Sequence, residues 1–599
     1  MSPFCKTVLV VPLLLCLSSG LVLVAKERIF VDQWSPTQSN LYIADADGAN
    51  ARKLVPGSHR DYNGSFSFNG RWVVFTSERY GSADIFRVRT DGIGLERLTD
   101  NPAFDDQAAL SPDGSRLAFV STRDAGSTDI FILDLQNGMV RNLTRAPGGD
   151  YRPSWSPDGR MLAFSSDRGT KFQKATGRWE HVHPASVYVM GVDGKGLRKL
   201  SPGGKLGGSP KWSADGRRVV FYEVDVADTF KARWVPEQAR VPSRIVSVDI
   251  GTGERIEHAS GDGLKLSPQF IGRSGIGYLE KAGATASLVF SSGEKGSVGD
   301  IGNPSWSQDG SQLVYQRGPI ATIAAPRSPG ELLSGRDPQL ELVYASGFPA
   351  VSPDGRQLVV SERTGRGRPD DRTALVVWNT DGTDPHRIFR GEGAVLAPQW
   401  SSDGQWIVFG VGNFFLARTR PAQVMMVRSD GSDPRALTTG PGNAGFPSFS
   451  PDGSEVVYRF WSDTAGGLRI VNVSDGAVRT LTMGYDNFPS WSPKADRIVF
   501  SRLANDDFNI FTIRPDGTGL SQLTHSPGND SHPSWSADGE HVLFSSSRFG
   551  FKDEAPLADI PQPYGELFIM QADGSDQRAL TDNRWEEGTP AWQPALSHR

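Results

Sequence analysis

The chain of 599 residues holds two cysteines, Cys5 and Cys16, and both fall in its first 25 positions. The rest of the chain has no thiol, which excludes a disulfide framework, thiol catalysis and thiolate metal ligands there. A surplus of positive charge is also missing: 63 Lys and Arg against 68 Asp and Glu leave a net charge of −5. With no surplus cations to neutralise phosphates, nucleic acid is not an expected partner. Histidine is scarce, at nine residues, which limits the sets that could hold a metal or run acid–base chemistry. The one long apolar run is Val8 to Ala25. Lys6 precedes it and charge resumes at Lys26, so residues 1–25 read as a secretory signal peptide, with an uncleaved anchor as the other reading. The expected location is periplasmic or secreted, with no stable membrane insertion after signal cleavage.

What the chain has instead is one phrase, repeated. "PSWSPDGRMLAFSSDRG" begins at Pro153, "PSWSQDGSQLVYQRG" at Pro304, "PQWSSDGQWIVFGVG" at Pro398 and "PSWSADGEHVLFSSS" at Pro533. The Trp, or the residue standing in for it, occupies twelve positions: Phe66, Leu110, Trp155, Trp212, Phe270, Trp306, Val351, Trp400, Phe449, Trp491, Trp535 and Trp592. A period near 45 residues, with no helical periodicity inside it, points to a propeller rather than a helical solenoid. Each unit resolves into four short strands. The Asp-Gly pair turns the first strand into the second, and a second Gly turn ends the third, as in "DIFILDLQNG" from Asp129. A lone four-stranded sheet cannot cover its own faces, so the units must stack and the ring must close. The fold class is therefore all-β: a beta-propeller of about twelve four-stranded blades, most simply two six-bladed rings. A single twelve-bladed ring is the other possibility.

The ends support closure. "RIFVDQ", "NLYIADADG" and "ARKLV" open the chain as strands with no first strand ahead of them, and "TPAWQP" closes it as a first strand with nothing after it. The expected domains are a signal peptide over 1–25, an N-terminal ring over 26–307 and a C-terminal ring over 308–599. The boundary lies anywhere in 307–345, around the Pro- and Gly-rich stretch from Gly318 to Glu341. In one version the first ring ends near Ser307. In the other the C-terminal strand closes the N-terminal ring, so that the rings share a seam.

The pattern "SPDG…AF.S…DIF…DG…LT" resembles the TolB-type repeat, described as WD40-like and abbreviated PD40, over roughly Arg28 to Pro594. The resemblance implies a propeller exported to the periplasm and working with protein partners in the cell envelope. It leaves out the separate N-terminal domain of TolB, because the segment between the leader and the first repeat is too short. Similar propellers precede prolyl-oligopeptidase-like hydrolase domains, but no Gly-x-Ser-x-Gly elbow follows the last repeat here.

Three inserts lengthen the loop after the second strand, starting at Asp167, Glu223 and Arg548. Long loops on one face of a rigid scaffold commonly carry binding residues. The first two bring Arg178, Trp179, Glu180, His181 and His183, then Lys231, Arg233 and Trp234. Cations beside flat aromatic rings suit an acidic sugar or a carboxylated peptide. His532, at the start of an innermost strand, is a further candidate contact. No catalytic residue, metal ligand or cofactor is assigned. The expected function is an exported, non-catalytic TolB-like beta-propeller binding a protein or acidic glycan ligand. The alternative is a carbohydrate-active lyase or hydrolase acting on an acidic oligosaccharide.

Overall fold

The computed structural model describes residues 26–594 except 35–37, 58, 125–127, 172–181, 234, 273–274, 284, 319–331, 334–336, 338, 364–372, 392, 413–420, 549–552 and 558–564. The signal-peptide reading and Arg178, Trp179, Glu180, His181 and Trp234 lie outside the described residues.

The described residues are almost entirely β, with twelve four-stranded blades closed as two six-bladed rings. In each blade the first strand is innermost. The innermost strand Gly302–Trp306 packs back beside Asp61–Phe66, which closes the first ring. Glu586–Trp592 packs beside Ala350–Val351, which closes the second. The repeated turn does what its sequence asks. In Ser156 to Gly159 the Ser156 hydroxyl donates to Asp158 Oδ1 at 2.6 Å and the Arg160 N–H donates to the same oxygen at 3.1 Å. Gly159 sits at φ +69°, which favours glycine. The aromatic that ends the first strand joins neighbouring blades. The Trp155 indole donates to Ala109 O, that of Trp212 to Ser154 O and that of Trp535 to Ser490 O, at 2.9–3.1 Å.

At the seam, strands from the start of the sequence pair with strands from its middle and its end. Asn40–Asp45 and Arg52–Lys53 form the outer half of the blade whose inner strands are Gly302–Trp306 and Gln312–Arg317, so the first ring closes on itself. The earlier strand Glu27–Trp34 belongs to the second ring. There it lies antiparallel to Glu586–Trp592 and parallel to Leu340–Ala345. A cut at 307 would part the hairpin of Gly302–Trp306 and Gln312–Arg317. The chain thus starts in the second ring, runs once around the first, and returns.

Candidate functional site

Every complete first strand except the last carries a register shift two residues before the pre-aromatic position, and the residue there has positive φ. Such a bulge turns one side chain per blade toward the ring axis. In the first ring these residues are Asn63, Gln107, Arg152, Ser209, Ser267 and Asn303, all polar. In the second they are Phe348, Ala397, Phe446, Phe488 and His532. The two channels therefore differ in kind. In the second, Phe446 and Phe488 stand 4.5 Å apart between ring centroids and Phe488 and His532 4.0 Å apart, an aromatic cluster that fills the axis. His532 is 7% exposed, and burial pulls its imidazole down to about 3, so it is neutral at physiological pH. It is packed in the axis of the ring, not at a rim.

The first ring's channel is entered from one side by the second ring. Asp553, Glu554 and Ala555, from the third long insert, reach into it. Arg152 clasps Asp553 through two nitrogens, at 3.2 and 2.5 Å. Glu554 is fully buried in a cradle of donors. Ser209 N–H (2.6 Å) and Ser165 Oγ (2.5 Å) donate to Oε1, and Ser209 Oγ (2.8 Å) and Tyr222 OH (2.9 Å) donate to Oε2. Burial and the Asp553 charge push the Glu554 carboxyl upward, while Arg152 pulls it back. Ala555 joins the apolar cluster of Leu206, Val224 and Ala232. The neighbouring loop docks as well: Arg584 faces Asp106 at 3.6 Å and stacks on Tyr62, and the Trp585 indole donates to Glu78 at 2.8 Å.

This docking is where the sequence-selected face went. Lys231 and Arg233 lie on the short helix Thr229–Arg233. Lys231 is exposed and pairs with Asp228 at 2.7 Å. Arg233 Nη1 donates to Ala555 O at 3.2 Å, so it holds the inserted segment. His183 Nδ1 is 3.8 Å from Asp167 Oδ2. Among the described residues, no group of three or more His, Cys, Asp or Glu could hold a metal ion. Acids at the start of the innermost strands are used in architecture. Asp105 pairs with Arg123 at 2.7 Å, Asp150 with Arg168 at 2.7 Å and Asp486 with Arg502 at 2.6 Å, all with buried carboxylates.

The opposite end of the first channel is a funnel of about 90 Å³. Its walls come from the pre-aromatic residue of each blade: Ser65, Ala109, Ser154, Lys211, Gln269 and Ser305. At its mouth stand Phe68, 40% exposed, and Gln308. Lys211 is half-buried, and burial and the Arg152 charge bring its ammonium down to about 8. The sequence reading missed this residue, although its position was visible: it is the cation at a place where every other repeat has Ser, Ala or Gln.

Residues 101–229, in the first ring, and 415–553, in the second, match PD40, the TolB beta propeller domain. These two stretches resemble TolB-type repeats. An uncharacterized protein of Agrobacterium fabrum is 38% identical over 82 residues, 14% of this chain and 28% of that one. The Tol-Pal system protein TolB of Helicobacter hepaticus is 38% identical over 65 residues, 11% of this chain and 16% of that one. The match thus spans under a third of the length of either curated relative. The crystal structure of TolB from Acinetobacter baumannii is similar at 15% identity over 59% of this chain and 80% of that one, with a TM-score of 0.35. No helix among the described residues is long and apolar enough to cross a membrane.

Proposed function

We propose that this protein is an exported, non-catalytic binding propeller, and that its ligand, a protein or a glycan, enters the first ring through the funnel. The observation that supports this reading most is the contrast between the channel ends. One end of the first channel is filled by Asp553 and Glu554 and the axis of the second ring by aromatic side chains, while the funnel is open and lined by polar and apolar side chains of six different blades. A rigid site of this kind binds with little ordering cost. The lyase alternative needs an acid, a base and a cation around one pocket. Among the described residues, Arg233 and His183 are instead engaged with Ala555 and Asp167.

The chain beyond Cys16 has no cysteine, so a Gln308→Cys variant can be tagged at the mouth alone. Capping it with a bulky maleimide should abolish capture of envelope proteins or glycans that the uncapped variant retains. Undiminished capture would place the ligand elsewhere. Export is checked by the intact mass of the protein in the periplasm or medium, which should lack the leader with Cys5 and Cys16.

A further inference from the structure

Lys211 is a cation without an architectural reason. Eleven of the twelve repeats place Ser, Ala or Gln at the residue before the first-strand aromatic, and only the fourth blade places Lys. The repeat does not need the charge, because the aromatic staple works through backbone carbonyls. The Trp212 indole next to it donates to Ser154 O at 3.0 Å. Among the described residues no hydrogen bond or ion pair takes the Lys211 ammonium, although the side chain is half-buried. Its nearest charges lie deeper in the channel and are engaged with each other: Arg152 with Asp553 at 2.5 Å, and Glu554 in its cradle. A half-buried ammonium left to itself is unfavourable, and an anion arriving from the open side would relieve it.

We propose that the funnel is a carboxylate site in which Lys211 holds the C-terminal carboxylate of an extended peptide. The inference rests on the funnel being the ligand end of the first ring. Three features favour a chain end over a sugar ring. The space of about 90 Å³ is far below the roughly 300–1,000 Å³ of pockets that enclose a whole drug-sized ligand. It lies on the axis, so the remainder of an extended chain leaves through the mouth. The Trp155, Trp212 and Trp306 side chains that border it are buried between blades, so no indole face is free for a sugar to stack on, and Phe68 at the mouth is a smaller, 40% exposed ring. The Ser154 hydroxyl, on the blade next to Lys211, lines the same funnel and supplies a donor for the second carboxylate oxygen. The mouth carries Asp113, Asp158, Asp215 and Asp309. Each accepts from the Ser hydroxyl and a backbone N–H of its own turn, which holds all four below the usual carboxylate range and turned toward the turn itself.

The test uses the full chain, with the tripeptide N-acetyl-Gly-Ala-Ala as probe, its C-terminal amide as neutral control and galacturonate as the sugar acid. By titration calorimetry at low salt and pH 7 the free acid should bind, the amide and galacturonate at least tenfold more weakly, and Lys211→Gln should lose at least tenfold for the free acid. Affinity should fall from pH 7 to pH 9 as the ammonium deprotonates, while Arg152 and the mouth carboxylates keep their charge. Glu554 faces the same channel, so the slope is compared with Lys211→Gln, where it should vanish. In the wild type the tripeptide should shield Lys211 from acetic anhydride by mass spectrometry, a readout that does not depend on the variant folding. Equal binding of acid and amide, tighter binding of galacturonate, an unshielded Lys211 or no binding of any probe would each overturn the proposal. If Gln308→Cys capping abolishes capture while Lys211→Gln keeps full affinity, the carboxylate site fails and the funnel stands.

Discussion

Replacing Glu554 by alanine should loosen the join between the two rings. The side chain is fully buried, and its two oxygens accept from Ser165, Ser209 (twice) and Tyr222. The alanine leaves four donors without their acceptor and Arg152 with a single carboxylate partner, Asp553. Breaking a buried, hydrogen-bonded charge cluster from one side costs about 3–5 kcal/mol, and a stranded buried donor about 1–3 kcal/mol. Water entering the vacated space would recover part of the second figure, so about 3–5 kcal/mol is the working magnitude. At about 2 °C per kcal/mol for a unit of this size, the first ring should melt about 6–10 °C lower by calorimetry. Hydrogen exchange should rise at Lys205–Trp212 and Arg218–Asp225, the strands that carry Ser209 and Tyr222. It should stay unchanged at Val395–Trp400, on the far side of the second ring. A melting point within about 1 °C of the wild type, or exchange rising evenly over both rings, would refute the docked-segment reading.

Other variants test other parts. Glu566 and Glu587 are buried together, with Asp582 near. Burial first and the neighbouring carboxylates second raise Glu566, and burial lifts Glu587 to about 7 against hydrogen bonds from Gln33 and Asn583. Raised carboxyls bind protons in the folded state that the unfolded chain has released, so stability should fall as pH rises from about 5 through 7. Glu566→Gln should flatten that fall in urea titrations. Phe488→Ala, in the axis of the second ring, should cost about 3–5 kcal/mol of stability by denaturant unfolding, with ligand capture at the first ring retained. Removing 586–599 takes away the partner of Glu27–Trp34, so exchange should rise there and at Leu340–Ala345 and stay low at Asn40–Asp45.

Much of the fold could be read from residues. The Asp-Gly turns gave the hairpins, the spaced aromatics gave the number of blades, and the strand-like ends gave closure. The seam could not be read fully, because "RIFVDQ" and "NLYIADADG" are both good strands, and only their pairing separates them between rings. The docked segment was less visible still. Asp553 and Glu554 look like ordinary loop acids, and their partner Arg152 lies 401 residues from Asp553. The signal that could have found it sits three residues before each first-strand aromatic. Asn63, Gln107, Arg152, Ser209, Ser267 and Asn303 are polar, whereas Phe348, Phe446 and Phe488 are not. The basic inserts drew attention to the face that the second ring covers, and Arg233 is spent on Ala555. The acids that open the innermost strands are equally hard to read, since an Asp at a loop looks solvated until its Arg, 16–18 residues on, is seen to clasp it.

The most direct test of the central claim is a hydrogen-exchange footprint of the full chain with its captured ligand. The binding-propeller account places protection on the funnel residues of the first ring: Ser65–Phe68, Ala109–Pro112, Lys211–Ser213 and Ser305–Gln308. Protection confined to the second ring, or to the outer strands of either ring, would contradict it.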